Sequence, residues 1–320
     1  MILDILLIVV GVALVLWGAD RLTEGASALA RRMNVPEIVI GLTIVAAGTS
    51  APELFVSLVS ALKGTPDLAV GNVVGSNILN TLLIVGVTAM VAPMVIARST
   101  VKKDIPFAVM SSLLLLVLML DSCQSLNISG NTISRLDGLW LLVGFALFMA
   151  YTFSVARKGG VDTVATDGQQ PQRAWVSALW VVVGLGCLVV GSNLFVDSAS
   201  SVAAALGVSQ SVIGLTIVAG GTSLPELATS VVAARKGQSA IAIGNVIGSN
   251  VFNILMILGV TAVICPMQVE GITLVDLSAM LLSMLVLWGF CFTKLTVERW
   301  EGAVLTAAYL AYLAWLLYNV

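Results

Sequence analysis

The sequence predicts an all-α polytopic membrane protein, with ten transmembrane helices arranged as two inverted five-helix repeats. Three observations lead there: composition, a one-sided distribution of basic residues, and an internal duplication. Of the 320 residues, 59% are apolar and only 10% charged, whereas a soluble domain carries about 25% charged residues. Mean hydropathy is +1.06. Such a chain cannot coat a globule of its own size in charge, which excludes a soluble enzyme. A net charge of −2 excludes a nucleic-acid-binding module. The surroundings it fits are a lipid bilayer.

At about 20 residues per crossing, the apolar stretches divide into spans near 2–30, 36–62, 67–93, 104–121, 136–156, 174–204, 209–234, 239–264, 271–292 and 298–318. The first opens on Ile2 to Ala19, interrupted only by Asp4. It lacks the basic flank of a cleavable signal, so it reads as a retained span. The second and seventh each hold a glycine and a proline mid-span and are expected to break there. The ninth carries a single aspartate, Asp276, near its start. Residues 157–173, rich in Gly, Gln, Asp and Thr, read as a linker between a first repeat at 1–156 and a second at 174–320. There is no histidine, and Cys123, Cys187, Cys265 and Cys291 are scattered without paired metal spacing. No cofactor and no obligatory protein partner are expected.

The basic residues orient the chain. Loops after spans 1, 3, 5, 7 and 9 hold Arg31, Arg32, Arg98, Lys102, Lys103, Arg157, Lys158, Arg173, Arg235, Lys236, Lys294 and Arg299; the other loops hold Lys63 and Arg135. Under the positive-inside rule, both termini lie on the non-cytoplasmic side and the linker is cytoplasmic. The Arg31/Arg32 and Lys102/Lys103 pairs read as topology determinants rather than lipid-binding patches.

The duplication is the strongest signal. Gly41 to Asn80 reads GLTIVAAGTSAPELFVSLVSALKGTPDLAVGNVVGSNILN, and Gly214 to Asn253 reads GLTIVAGGTSLPELATSVVAARKGQSAIAIGNVIGSNVFN; 25 of 40 positions match without a gap. The same offset maps Gly18 onto Gly191 and Glu24 onto Asp197. Five spans per copy is an odd number, so the second copy enters from the opposite side. Transporters built this way place one site at the repeat interface and open it to each side in turn.

Glu53 and Glu226 are the candidate site. Each lies mid-span, where a charge costs at least about 2.5–3.5 kcal/mol; the basic residues Lys63 and Lys236 lie about three turns on, toward the helix ends. A bound cation is the more economical partner. Pro52 and Pro225 each remove a helical hydrogen bond and free carbonyls just upstream, beside the hydroxyls of Thr49, Ser50, Thr222 and Ser223. Asn72, Ser76 and Asn80 recur at i, i+4, i+8 on one helical face, as do Asn245, Ser249 and Asn253, with Gly71, Gly75, Gly244 and Gly248 alongside to let backbones approach. An all-oxygen set favours calcium, magnesium or sodium over soft metals.

The paired GTSxPEL and GNxxGSNxxN segments resemble the two alpha-repeats of the sodium/calcium exchanger (cation:calcium antiporter) superfamily, most of all its short prokaryotic members. The resemblance implies an inner-membrane antiporter with spans 2, 3, 7 and 8 around the ions. It implies calcium ligands at the Glu53 and Glu226 carboxylates and the Thr49 and Thr222 carbonyls. Sodium positions would use Ala46, Ser50 and Ser76, with Ala219, Ser223 and Ser249 from the other copy; Asn80 and Asn253 map to the centre. Asn253 stands where potassium-dependent members carry an aspartate, so a potassium requirement is not expected. Nor is regulation by a soluble calcium-binding loop, which this chain lacks.

Exchange then follows from competition: one Ca²⁺, or several Na⁺, balances a cage of charge about −2, and an empty cage resists crossing. The nearest alternative is a proton/calcium antiporter using the same glutamates. A cation channel lined by the same oxygens is a weaker one. An intramembrane protease built on Ser50 or Ser223 fails for want of a histidine base.

Overall fold

The computed structural model describes residues 2–124, 131–157, 174–207 and 219–318. Among these, eight helices are long and apolar enough to cross a membrane, and a bent pair makes a ninth. In order they are α1 (Ile2–Met33), the bent pair α2 (Glu37–Thr49) and α3 (Ala51–Leu62), α4 (Pro66–Val91), α5 (Ile105–Gln124), α6 (Arg135–Arg157), α7 (Ala174–Ala205), two shorter helices α8 (Ala219–Thr222) and α9 (Leu224–Arg235), then α10 (Ser239–Ile264), α11 (Leu274–Lys294) and α12 (Arg299–Tyr318). The span expected at 209–234 is thus described from Ala219 onward. Most of the linker and the side chain of Cys123 lie outside the described residues, as does the Gly214 end of the second copy.

Burial separates the helices into two kinds. The hydrophobic windows of α4 and α10 are 78% buried inside the protein, those of α1, α6, α7 and α12 between 17% and 28%. The first two form the centre, and the others face lipid. Lipid gives no hydrophobic gain between helices, so close backbone contact and polar pairing hold them. α1 and α7 pack antiparallel along their length. A Cβ on Gly11 would lie 2.8 Å from the Gly191 carbonyl oxygen, and one on Gly18 2.8 Å from that of Gly184. The offset of the duplication carries Gly11 onto Gly184 and Gly18 onto Gly191, so each of these contacts is the image of the other.

The same doubling recurs at the periphery. The Tyr151 hydroxyl of α6 donates to Asp104 at 2.6 Å, at the entrance of α5, and that of Tyr312 on α12 donates to Asp276 of α11 at 2.8 Å. Two short antiparallel ladders tie the loops: β1 (Met94–Val95) with β4 (Thr296–Val297), and β2 (Asn131–Ile133) with β3 (Met267–Val269). The ladders close backbone groups at helix ends that hydrocarbon would leave unpaired. They are too short to read from sequence, where residue alternation needs at least four positions.

Candidate functional site

The break in the second span falls at Ser50, whose backbone (φ −82°, ψ 5°) leaves helical geometry between α2 and α3 with a bend of 46°. Ser223 repeats it (φ −93°, ψ 8°) between α8 and α9. Pro52 and Pro225 sit in the first turn of the new helix, where a missing N–H costs least. Each places its glutamate one residue later, in that same first turn. The positive end of a helix dipole favours a carboxylate there.

The two glutamates meet across the duplication. Ser223 Oγ donates to Glu53 Oε1 at 3.0 Å, and Ser50 Oγ donates to Glu226 Oε1 at 3.1 Å. Ser249 Oγ also reaches Glu226 Oε1 at 3.4 Å, and Ser223 Oγ reaches Ser76 Oγ at 3.3 Å. Glu53 is fully buried and Glu226 is 1% exposed, with no Lys or Arg ion pair among the described residues reaching either. Lys236, just past the end of the helix that carries Glu226, instead pairs with Asp20 of α1 at 2.6 Å. Lys63 is exposed.

What remains open at the centre is a matched set of acceptors. Glu53 Oε2, Glu226 Oε2, Asn80 Oδ1 and Asn253 Oδ1 are buried side-chain oxygens without a hydrogen-bond donor. An unsatisfied buried acceptor costs about 1–3 kcal/mol, more when charged. Four of them, two from each copy, fit a cation. Among the described residues no group of three or more acidic, cysteine or histidine side chains converges; the site is two carboxylates eked out by amides, hydroxyls and carbonyls. That donor set suits a hard ion.

The Asn/Ser stripe divides into three roles. Asn72 Nδ2 bonds the Glu53 carbonyl at 3.2 Å and Ser57 Oγ at 3.0 Å; Asn245 Nδ2 bonds the Glu226 carbonyl at 3.3 Å and Ser230 Oγ at 3.0 Å. These asparagines fasten neighbouring helices. Ser76 and Ser249, a turn on, face the serine–glutamate pairs. Asn80 and Asn253 stand where the helices widen to π geometry, over Asn80–Ile84 and Phe252–Leu258, a distortion concentrated at functional sites. Ala46 is buried, opening the last turn before the break, and Ala219 opens α8 at the matching place.

Two residues that the stripe did not single out complete the centre. Asn80 Nδ2 donates to Asn250 Oδ1 at 3.2 Å, and Asn253 Nδ2 donates to Asn77 Oδ1 at 3.1 Å. Asn77 and Asn250 therefore take up the nitrogen ends of the central amides and leave both oxygens free of a donor. Their own side chains are held in turn, Asn250 by Thr81 at 2.8 Å and Asn77 by the Asn250 carbonyl at 3.3 Å. The signal was available: both stand in the GSN triplet common to the two copies.

The approaches to the centre differ. On one side Thr49 is buried and donates to Asn245 Oδ1 at 3.1 Å, and a Cβ on Gly248 would meet the backbone of Leu42 at 2.8 Å. On the other, Thr222 and Asn72 are half-buried and Gly75 is exposed, with no described atom within 4 Å of a Cβ placed there. Among the described residues, close backbone approach is thus seen at Gly244 and Gly248.

A polytopic helical bundle with two buried carboxylates and no basic partner, set between duplicated broken helices, is a membrane ion carrier. The family described as sodium/calcium exchanger protein matches residues 3–154 and 176–318, and the chain belongs to it. It is a transporter family, not an enzyme family. The chain is 38% identical to CaxA of Alkalimonas amylolytica over 98% of both chains, and 36% identical to the inner membrane protein YrbG of Escherichia coli, over 99% of this chain and 97% of that one. It is 33% identical to the sodium/calcium exchanger MaX1 of Methanosarcina acetivorans, over 98% and 99%. Among solved structures, the sodium-calcium exchanger NCX_Mj soaked with Na⁺ and Ca²⁺ superposes with a TM-score of 0.82 at 31% identity, covering 98% of each chain.

Proposed function

We propose that the chain exchanges Ca²⁺ for Na⁺ across the inner membrane, by alternating access to a single cage at mid-bilayer. The observation that carries this reading is the reciprocal bonding of the two glutamates, whose second oxygens, like the amide oxygens of Asn80 and Asn253, are buried without a donor. MaX1 and NCX_Mj are both named as sodium/calcium exchangers, and NCX_Mj was soaked with both ions, which supports the same pair of ions here. In the proposed cage the Glu53 and Glu226 carboxylates and the Thr49 and Thr222 carbonyls hold Ca²⁺. Ala46, Ser50, Ser76, Ala219, Ser223 and Ser249 serve flanking Na⁺ ions, and Asn80 and Asn253 close the centre.

The proposed architecture is ten spans in two inverted halves, 1–156 and 174–320, joined by a cytoplasmic linker at 157–173 with both termini outside. In that orientation Gly75, Asn72 and Thr222 lie toward the outer face, and Thr49, Asn245 and Gly248 toward the inner. The half-buried set then marks the outward approach and the sealed set the inward one, as alternating access requires of any one state. Two ionised glutamates resist crossing empty, since burial of an unbalanced charge is costly; one Ca²⁺ or a load of Na⁺ restores balance, and that couples the fluxes.

The test is calcium uptake into sealed vesicles holding the purified protein under imposed gradients. Uptake driven by an outward sodium gradient is expected. Uptake that ignores sodium and follows a pH gradient identifies a proton/calcium antiporter, and flux far above carrier rates without a counter-ion identifies a channel. Either result contradicts the proposal.

A further inference from the structure

We propose that a basic cavity at the end of α11 binds the phosphodiester headgroup of an anionic phospholipid from the cytoplasmic leaflet. The cavity, about 390 Å³, is lined by Arg98, Val101, Lys102, Phe292, Lys294 and Leu295, within the size range of small-molecule sites. Three of its six walls are cations, and no ion pair among the described residues reaches Arg98 or Lys102. Lys294 is half-satisfied by Glu298 at 2.8 Å. The Lys294 ammonium and then the Trp300 indole hold the Glu298 carboxyl below its usual range, so that pair stays charged at neutral pH and the cavity keeps a positive excess.

The walls are fixed by backbone rather than by chance rotamers. Leu295 takes a left-handed conformation (φ 55°, ψ 33°) to end α11, and its carbonyl accepts from Ile96 N at 2.7 Å beside the β1–β4 ladder. The Trp288 indole donates to the Val101 carbonyl at 2.7 Å, pinning the opposite wall. Phe292 and Trp300 are 57% and 56% exposed at this level, the aromatic girdle of a membrane interface. Phe292 lines the cavity and is itself exposed, which gives an acyl chain an apolar contact that a free phosphate would not use.

The fold alone does not require this charge. The duplication maps Arg98 onto Gly271 and Lys102 onto Val275, where Asp67 accepts from the Glu270 and Gly271 backbone amides at 2.8 and 2.7 Å. One face is basic, while at its image an aspartate caps two backbone amides. The leaflet assigned to the cavity rests on the orientation proposed above; the cavity's preference for an anionic headgroup does not. Basic pockets between helix ends on the cytoplasmic side bind such headgroups.

The experiment is native mass spectrometry and thermal unfolding of the full chain in mild detergent, titrated with phosphatidylglycerol or phosphatidylcholine. Phosphatidylglycerol is expected to be retained and to raise the unfolding midpoint. Arg98→Gln with Lys102→Gln should weaken its retention about tenfold to thirtyfold while leaving calcium-dependent stabilisation intact. In the unmodified chain, about 0.5 M choline chloride should release the lipid through screening, which keeps the test open if the double variant fails to fold. Equal retention of phosphatidylcholine, undiminished retention in the variant, or equal stabilisation by glycerol 1-phosphate alone would overturn the proposal. Calcium exchange that fails for reasons at the glutamates leaves these readouts unaffected.

Discussion

The hydroxyl of Ser223 donates to Glu53 across the join between the two copies of the duplication, at 3.0 Å, and Ser50 returns the same bond to Glu226. Each broken helix therefore presents its own carboxylate and steadies its counterpart's. Neither carboxylate can be read apart from the other, and the second oxygen of each is buried without a donor, as are the amide oxygens of Asn80 and Asn253.

Removing one charge should separate binding from folding. In Glu53→Gln or Glu226→Gln, ion-free thermal stability is expected to rise or hold, because two like charges no longer face each other in a dry site. The calcium-dependent gain of the unmodified protein, about 2.7 kcal/mol at a hundredfold excess over Kd, should disappear. Scanning calorimetry with and without calcium checks both signs. A variant that keeps the calcium shift contradicts the assignment.

Asn77 and Asn250 should matter nearly as much as the residues they hold. Asn77→Ala leaves the Asn253 amide nitrogen unpaired and free to turn, at a cost of about 1–3 kcal/mol, and should weaken ion binding several-fold. Asn77→Asp keeps the accepting oxygen and should restore the amide's orientation. Isothermal titration with calcium on these and on Asn77→Leu, which keeps the volume but not the acceptor, distinguishes orientation from packing, since a packing role would leave the Leu variant intact.

Much of this was legible beforehand. The duplicated GTSxPEL and GNxxGSNxxN segments announce matched sites, and burial of Glu53 and Glu226 mid-span follows from hydropathy alone. The break at Ser50 follows from Pro52. The separate roles of Asn72 and Asn80 were not legible, because both lie on one helical stripe and differ only in which helix each faces. The π-widened turns at Asn80 and Phe252–Leu258 have no propensity signature. Nor could sequence tell that Gly248 is sealed while Gly75 is open, since identical motifs in the two copies can hold different states.

The α1–α7 seam predicts a steric limit. Gly184→Val would push side-chain carbon into the backbone of Leu22, 2.7 Å from a bare Cβ, with an expected cost of about 1–3 kcal/mol. A lowered unfolding midpoint, with the calcium shift retained, is the expected outcome; unchanged stability would mean that the two helices do not approach as described.

The ion pair between Lys236 and Asp20 sits at partly exposed helix ends, with side chains 30% and 35% exposed. Lys236→Gln should therefore cost only about 0.2–1 kcal/mol, and less at high salt. Chemical denaturation at two ionic strengths measures it. A loss of several kcal/mol would indicate that the pair closes one approach to the site rather than decorating its rim.

The most direct measurement is anomalous diffraction from crystals soaked first in calcium and then in sodium. Calcium density is expected midway between Glu53 and Glu226, within reach of the free oxygen of each and near Asn80 and Asn253, and sodium should replace it on the same oxygens. Calcium bound elsewhere, or two glutamates that stay bonded to their serines with no ion between them at saturating calcium, would contradict the account.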